Sequence, residues 1–133
     1  MRRVFLDANI IFSAAWSETN GILTLWNHPE LHLVTSFYAL LEAERNILVK
    51  NPAAAARLAR LVTKLEVSVS SAKLDGDYGL PEKDVPILEA AVAARCSVLL
   101  TVDTTHFGHL FGEVVEGVTV MTASALLREL VSD

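Results

Sequence analysis

The chain has 133 residues, 52% apolar and 20% charged, with six glycines and four prolines; about two-thirds of the unfolded surface is hidden at this length, so disorder is excluded and one domain over 1–133 is expected. Eleven basic against 16 acidic residues leave a net charge of −5, which excludes binding of nucleic acid by bulk electrostatics alone and leaves only a local patch or a metal for such chemistry. Cys96 is the only cysteine, so an internal disulfide, a thiolate zinc cluster and a CxxC redox pair are excluded, as suits a reducing cytosol.

Arg2 and Arg3 lead into the apolar run Val4 to Leu6, which reads as a strand; Asp7 and Asn9 break it too early for a secretory signal. Ile10, Ile11, Ala14 and Ala15 then recur at helical spacing up to Trp16. A second helical piece opens at Asn20-Gly21 and is closed after Trp26 by Asn27-His28-Pro29, because the residue before a proline is pushed out of the helical region. Leu31 to Thr35 follows as a strand. Ser36 is a good N-cap for a helix over Phe37 to Val49, which ends near Asn51-Pro52.

Pro52 to Lys64 is the clearest amphipathic segment, with proline in its first turn and Leu58, Leu61, Val62 and Leu65 at i, i+3, i+4 and i+7. Glu66 to Val69 reads as a third strand and Asp75 to Pro81 as a loop rich in breakers. Asp84 and Pro86 open a helix carrying Ile87, Leu88, Ala91, Val92 and Ala94. Ser97 to Val102 is apolar without alternation, as a central parallel strand covered on both faces must be. Val118 to Met121 is a last strand, and Thr122 caps a final helix with Leu126, Leu127 and Leu130. This alternation specifies an α/β domain with a parallel sheet and right-handed crossovers, without internal repeat or domain boundary. No stretch of about 18 apolar residues occurs, so the mean hydropathy of +0.39 reports a buried core, and a soluble, cytoplasmic protein is expected.

In open parallel sheets reactive groups collect beyond the carboxyl ends of the strands. Asp7 and Asp103 sit at two such ends, and Asp84 precedes a helix whose N-terminus belongs to the same rim. Glu42 lies six residues after Ser36, roughly 9 Å along its helix, within reach of that rim if its face points inward. Four carboxylates brought together repel one another, so the cluster calls for a cation. Mg2+ or Mn2+ takes oxygen ligands, orients a phosphate and acidifies a water, the combination that hydrolyses phosphodiesters.

Val4-Phe5-Leu6-Asp7-Ala8-Asn9, Glu42 in Leu41-Glu42-Ala43-Glu44-Arg45-Asn46-Ile47, Asp84 in Asp84-Val85-Pro86-Ile87-Leu88, and Leu99-Leu100-Thr101-Val102-Asp103-Thr104-Thr105-His106-Phe107 stand in an order that resembles the PIN-domain family of metal-dependent ribonucleases. That family includes the VapC-type toxins of toxin–antitoxin pairs, and the likeness runs over nearly the entire chain. The resemblance implies a three-layer α/β/α sandwich, a Mg2+ or Mn2+ site, cleavage of single-stranded RNA and frequent homodimerisation. It also implies an acidic ligand set of Asp7, Glu42, Asp84 and Asp103, with Glu44 as the rival of Glu42. Asn9 and Thr101 resemble the polar residues that steady ligands or waters from behind. His106 departs from the family pattern and either binds phosphate or caps a turn.

Each residue also has a plainer reading. Asp7 and Asp84 are both placed to cap helices. Asp103 is harder to explain so, because a carboxylate directly after a doubly buried strand is desolvated unless paired. Asp75 and Asp77 imitate a calcium loop, but Tyr78 and Gly79 do not continue it and Pro86 stands where its last glutamate belongs. Arg57, Arg60 and Lys64 share a helix face that either touches RNA or is simply solvated. His28, His32 and His109 lack metal-ligand spacing, and Trp16 and Trp26 read as core or interface aromatics.

The leading expectation is an endoribonuclease restrained by a small antitoxin protein. A housekeeping RNA-processing nuclease, a receiver-like signalling domain and a degenerate binding scaffold are the alternatives. The receiver pattern needs paired acids after the first strand and a late strand-end lysine; here Asp7-Ala8-Asn9 and Thr122 stand there.

Overall fold

A computed structural model describes residues 1–132, and in it strands and helices alternate as β1 (Arg2–Leu6), α1 (Ala8–Trp16), α2 (Thr24–Asn27), β2 (Leu31–Ser36), α3 (Phe37–Lys50), α4 (Ala55–Val62), β3 (Glu66–Ser68), α5 (Val85–Ala93), β4 (Val98–Leu100), α6 (Thr104–Phe107), β5 (Val114–Val115), β6 (Val118–Met121) and α7 (Ala123–Ser132). The six strands form one sheet in the order β3-β2-β1-β4-β6-β5. Pairing is parallel from β3 through β6, with Phe5 opposite both Val34 and Leu99. Chain order moves one way from β1 to β3 and then jumps back across to β4. Right-handed crossovers therefore put α1 to α4 on one face and α5 on the other. Val4, Phe5, Leu6, Leu99 and Leu100 are fully buried, as strands covered on both sides must be.

The parallel sheet is as expected, and one short antiparallel strand that the sequence reading did not place extends its edge. β5 pairs antiparallel with β6 through the two-residue turn Glu116-Gly117, whose φ angles are +50° and +86°. Such turns are signalled by Asn-Gly or Asp-Gly, and a glutamate at positive φ hides the signal. The loop ahead of α5 is tied to this hairpin, because Glu116 Oε2 accepts the N–H groups of Asp75 at 2.8 Å and Gly76 at 3.3 Å.

The amphipathic segment starting at Pro52 begins as a 3-10 turn, Pro52–Ala54, before α4. Its inner side packs on α1 through buried Leu58. Trp26 Nε1 donates to Leu61 O at 3.1 Å, and Arg57 donates to Ala15 O at 2.9 Å and Trp16 O at 2.8 Å. Arg57 thus satisfies the last carbonyls of α1. β1, β2 and β4 end on one rim, where α1, α3 and α6 begin with Asp7, Ser36 and Asp103 as their N-caps. Each cap accepts a backbone N–H, from Ala8, Ala39 and His106 respectively.

Candidate metal centre

Asp7 is 4% exposed and its two oxygens do different work. Oδ1 accepts from Ala8 N at 2.7 Å, while Oδ2 accepts from Thr101 Oγ1 at 2.8 Å and Asn9 Nδ2 at 3.3 Å. Asn9 Nδ2 also reaches Thr101 Oγ1 at 3.1 Å, and its Oδ1 accepts from Val102 N at 3.1 Å. Thr101 Oγ1 in turn accepts from Asp103 N at 3.1 Å. This network locks the end of β1 to the end of β4. Burial pushes the Asp7 carboxyl up to about 6, the bonds from Thr101 and Ala8 oppose the rise, and the charges of Glu42 and Asp84 add to it.

Asp84 precedes α5 but makes no capping bond, which corrects its reading as a helix cap and leaves the carboxylate available. Its Oδ2 stands 3.0 Å from His106 Nδ1, and that same nitrogen is 2.8 Å from Asp103 Oδ2. Asp84 Oδ2 and His106 Nδ1 are both sealed from solvent, yet neither has a hydrogen-bond partner of acceptable geometry. The closeness without the alignment marks a cluster of donor atoms more than an ion pair. Burial raises the Asp84 pKa, the charges of His106 and Lys83 oppose this, and Asp103 adds to it.

The four sequence-selected acids line one cleft of about 200 Å³ together with Asn9, Asn46, Lys50 and Lys83. Glu44 lies instead in a separate groove with Ile47, Leu48 and Leu58, because two residues along a helix turn a side chain about 200° round the axis. Arg57, Arg60 and Lys64 are not among the residues lining the acid cleft. Its cations are Lys83, beside Asp84, and Lys50, whose ammonium stands 5.7 Å from the centre of the Phe12 ring. Asn46, Lys50 and Lys83 escaped sequence reasoning. The first two had a signal, since Glu42, Asn46 and Lys50 are spaced i, i+4 and i+8 on α3 and so share a face.

Asp77 and three of the histidines have partners elsewhere. Asp77 Oδ1 accepts from Gly79 N at 2.9 Å, His28 Nδ1 from Glu30 N at 3.2 Å, His32 pairs with Glu66, and His109 meets Tyr78 O. Among the described residues, no lysine or arginine forms an ion pair with Asp7, Glu42, Asp84 or Asp103. The donor set, all oxygen apart from one imidazole and with an orphaned carboxylate oxygen inside it, fits a divalent cation.

A family model described as the PIN domain matches residues 3–105. Among solved structures, VapBC2 from Rickettsia felis bound to a DNA fragment from their promoter is similar, with 17% identity, a TM-score of 0.65, and 90% of this chain and 98% of that chain covered. VapBC-1 from nontypeable Haemophilus influenzae gives 15% identity and 0.61, covering 92% and 98%. The T. brucei RRP44 PIN domain gives 14% identity and 0.56, covering 98% and 82%. No curated protein matches the sequence significantly. At these identities the structural likeness establishes the fold.

Proposed function

This chain belongs to the PIN-domain family, and from that premise we propose that it is a divalent-metal-dependent endoribonuclease acting on single-stranded RNA, the toxin of a toxin–antitoxin pair. One observation carries the reading: Asp7, Glu42, Asp84 and Asp103, from four separate segments, converge on one cleft with no pairing lysine or arginine among the described residues. Such an array is stabilised by a cation and is otherwise self-repelling.

These four carboxylates would hold Mg2+ or Mn2+, and such an ion when bound acidifies water and offsets the negative charge that builds on phosphate oxygens. The protein's own contribution is placement. Thr101 and Asn9 hold the Asp7 carboxylate in one orientation through Oδ2, so little reorganisation accompanies each turnover. Lys50 and Lys83 flank the acids and supply the positive charge that draws an RNA backbone into a cleft of an acidic protein. Asn46, between Glu42 and Lys50 on the same helix face, offers an amide to a phosphate or ribose oxygen.

The same reading includes a small antitoxin partner and a homodimer, supported by exposed apolar side chains such as Phe37, Leu48 and Val69. VapBC structures among those with this fold favour the toxin over a housekeeping nuclease. No described helix is long and apolar enough to cross a membrane.

The test is cleavage of single-stranded RNA by the wild type with Mn2+, with EDTA, and by Asp103→Asn with Mn2+. Metal-dependent cleavage lost in the variant is expected, and failure to cleave any RNA would overturn the reading in favour of a binding scaffold. Growth arrest on induced expression, relieved by a co-expressed small neighbouring gene product, is expected of the toxin. Light scattering at micromolar concentration reads the dimer.

A further inference from the structure

We propose that His106 Nδ1 is a direct ligand of the ion held by Asp84 and Asp103, so that the centre is a mixed nitrogen–oxygen site that selects a transition ion such as Mn2+ over Mg2+. The inference rests on reading the cleft as a metal centre and goes beyond it in naming the class of ion. One oxygen of Asp84, one of Asp103 and Nδ1 of His106 all lie within 4.8 Å of one another. The two nitrogen–oxygen separations are 3.0 and 2.8 Å. Neighbouring ligands of an octahedral ion with bonds of about 2.1 Å stand about 3.0 Å apart, so the spacing is that of a coordination edge.

An imidazolium bridging two carboxylates would give similar distances, but it would also give aligned hydrogen bonds. Nδ1 and Asp84 Oδ2 make none, although both atoms are shut off from water. An orphaned nitrogen and an orphaned oxygen 3.0 Å apart each have a lone pair left for one shared ion lying to the side of both. The backbone fixes this arrangement: His106 N donates to Asp103 Oδ1 at 3.0 Å, so the first turn of α6 turns the ring towards the carboxylates. Carboxylate, carbonyl and water suit magnesium and manganese alike, so the discriminating donor is the imidazole, which a first-row transition ion accepts more readily than magnesium does. His28, His32 and His109 each meet other groups elsewhere, which leaves His106 as the imidazole beside the acids among the described residues.

The experiment loads metal-free protein with Mn2+ alone and reads it by pulsed electron paramagnetic resonance, beside calorimetric titration with Mn2+ and with Mg2+. Imidazole nitrogen modulation is expected in the wild type and its loss in His106→Gln, with the Mn2+ to Mg2+ affinity ratio falling roughly tenfold or more. Wild type labelled with 15N-histidine gives the same readout without a substitution, should the variant fail to fold. Bound Mn2+ without nitrogen modulation, modulation that persists in His106→Gln, or an unchanged ratio would overturn the inference and leave the nuclease reading standing. Mn2+ binding indifferent to Asp103→Asn would overturn both.

Discussion

Thr101 and Asp7 meet through a 2.8 Å hydrogen bond, hydroxyl to carboxylate, across 94 positions of sequence. Because Thr101 Oγ1 also accepts from Asp103 N, one side chain at the end of β4 sets the positions of two of the acids. Thr101→Val keeps the shape, but it strips Asp7 Oδ2 of its shortest donor and leaves the Asp103 N–H without its acceptor. A loss of about 1–3 kcal/mol by urea denaturation is expected. The hydroxyl also holds the Asp7 pKa down, so the acid limb of the activity profile is expected to move to higher pH. Thr101→Ser is expected to restore most of both.

The metal-free protein is expected to lose stability as pH rises, against the usual behaviour of paired carboxylates. The Asp7 carboxyl goes from an ordinary 3.8 to about 6 on folding, so folding favours its protonated form. That contribution is complete below about 3.8 and is lost as pH climbs through about 6. At about 1.4 kcal/mol per pKa unit it amounts to about 3 kcal/mol. Asp84 is shifted in the same direction. Glu66 works the other way: hydrogen bonds from Arg3 and His32 hold it at about 2 against an ordinary 4.5, so its contribution is present above 4.5 and lost as pH falls through 2. Thermal melts in EDTA should therefore show a maximum near pH 4 to 5 and a fall towards neutrality. Mn2+ should raise the melting temperature increasingly over that fall, because it binds the ionised form.

Two glutamates two residues apart separate cleanly by position. Glu42 faces Asp7 across the cleft and Glu44 faces the groove between α3 and α4. Glu42→Gln is expected to lower kcat by about 100-fold or more, the scale of losing one preorganised electrostatic partner. Glu44→Gln is expected to leave cleavage within about twofold, because a surface substitution away from the chemistry changes little. Single-turnover cleavage of one RNA by both variants decides it.

The cations divide in the same way. Lys50→Ala and Lys83→Ala are each expected to weaken RNA binding and to reduce the slope of log affinity against log salt by about one. Arg57→Ala is expected to leave that slope unchanged and to cost about 1–3 kcal/mol of stability, since the Ala15 and Trp16 carbonyls lose charged donors. Titration of fluorescent RNA into each variant, with melting curves in parallel, reads both effects.

Local chemistry wrote most of the elements where they can be read. Ser36 and Thr122 cap the helices they precede, and unalternated Val98-Leu99-Leu100 is the buried central strand. What escaped reading depended on unusual backbone or on distant partners. The β5–β6 hairpin turns on a glutamate in the left-handed region, and Arg57 looks solvated until α1 is placed beneath it.

From the order of residues alone come the alternation of strand and helix and the acids at strand ends and helix starts, because capping and hydrophobic period act over a few residues. Only the tertiary structure decided that Asp7, Glu42, Asp84 and Asp103 share one cleft, that Glu44 does not, and that His106 turns its nitrogen between two carboxylates. Those facts follow from strand order and register, which bring the ends of β1 and β4 together across more than ninety residues. No local signal encodes a neighbour so distant; burial of both faces of the sheet selects it.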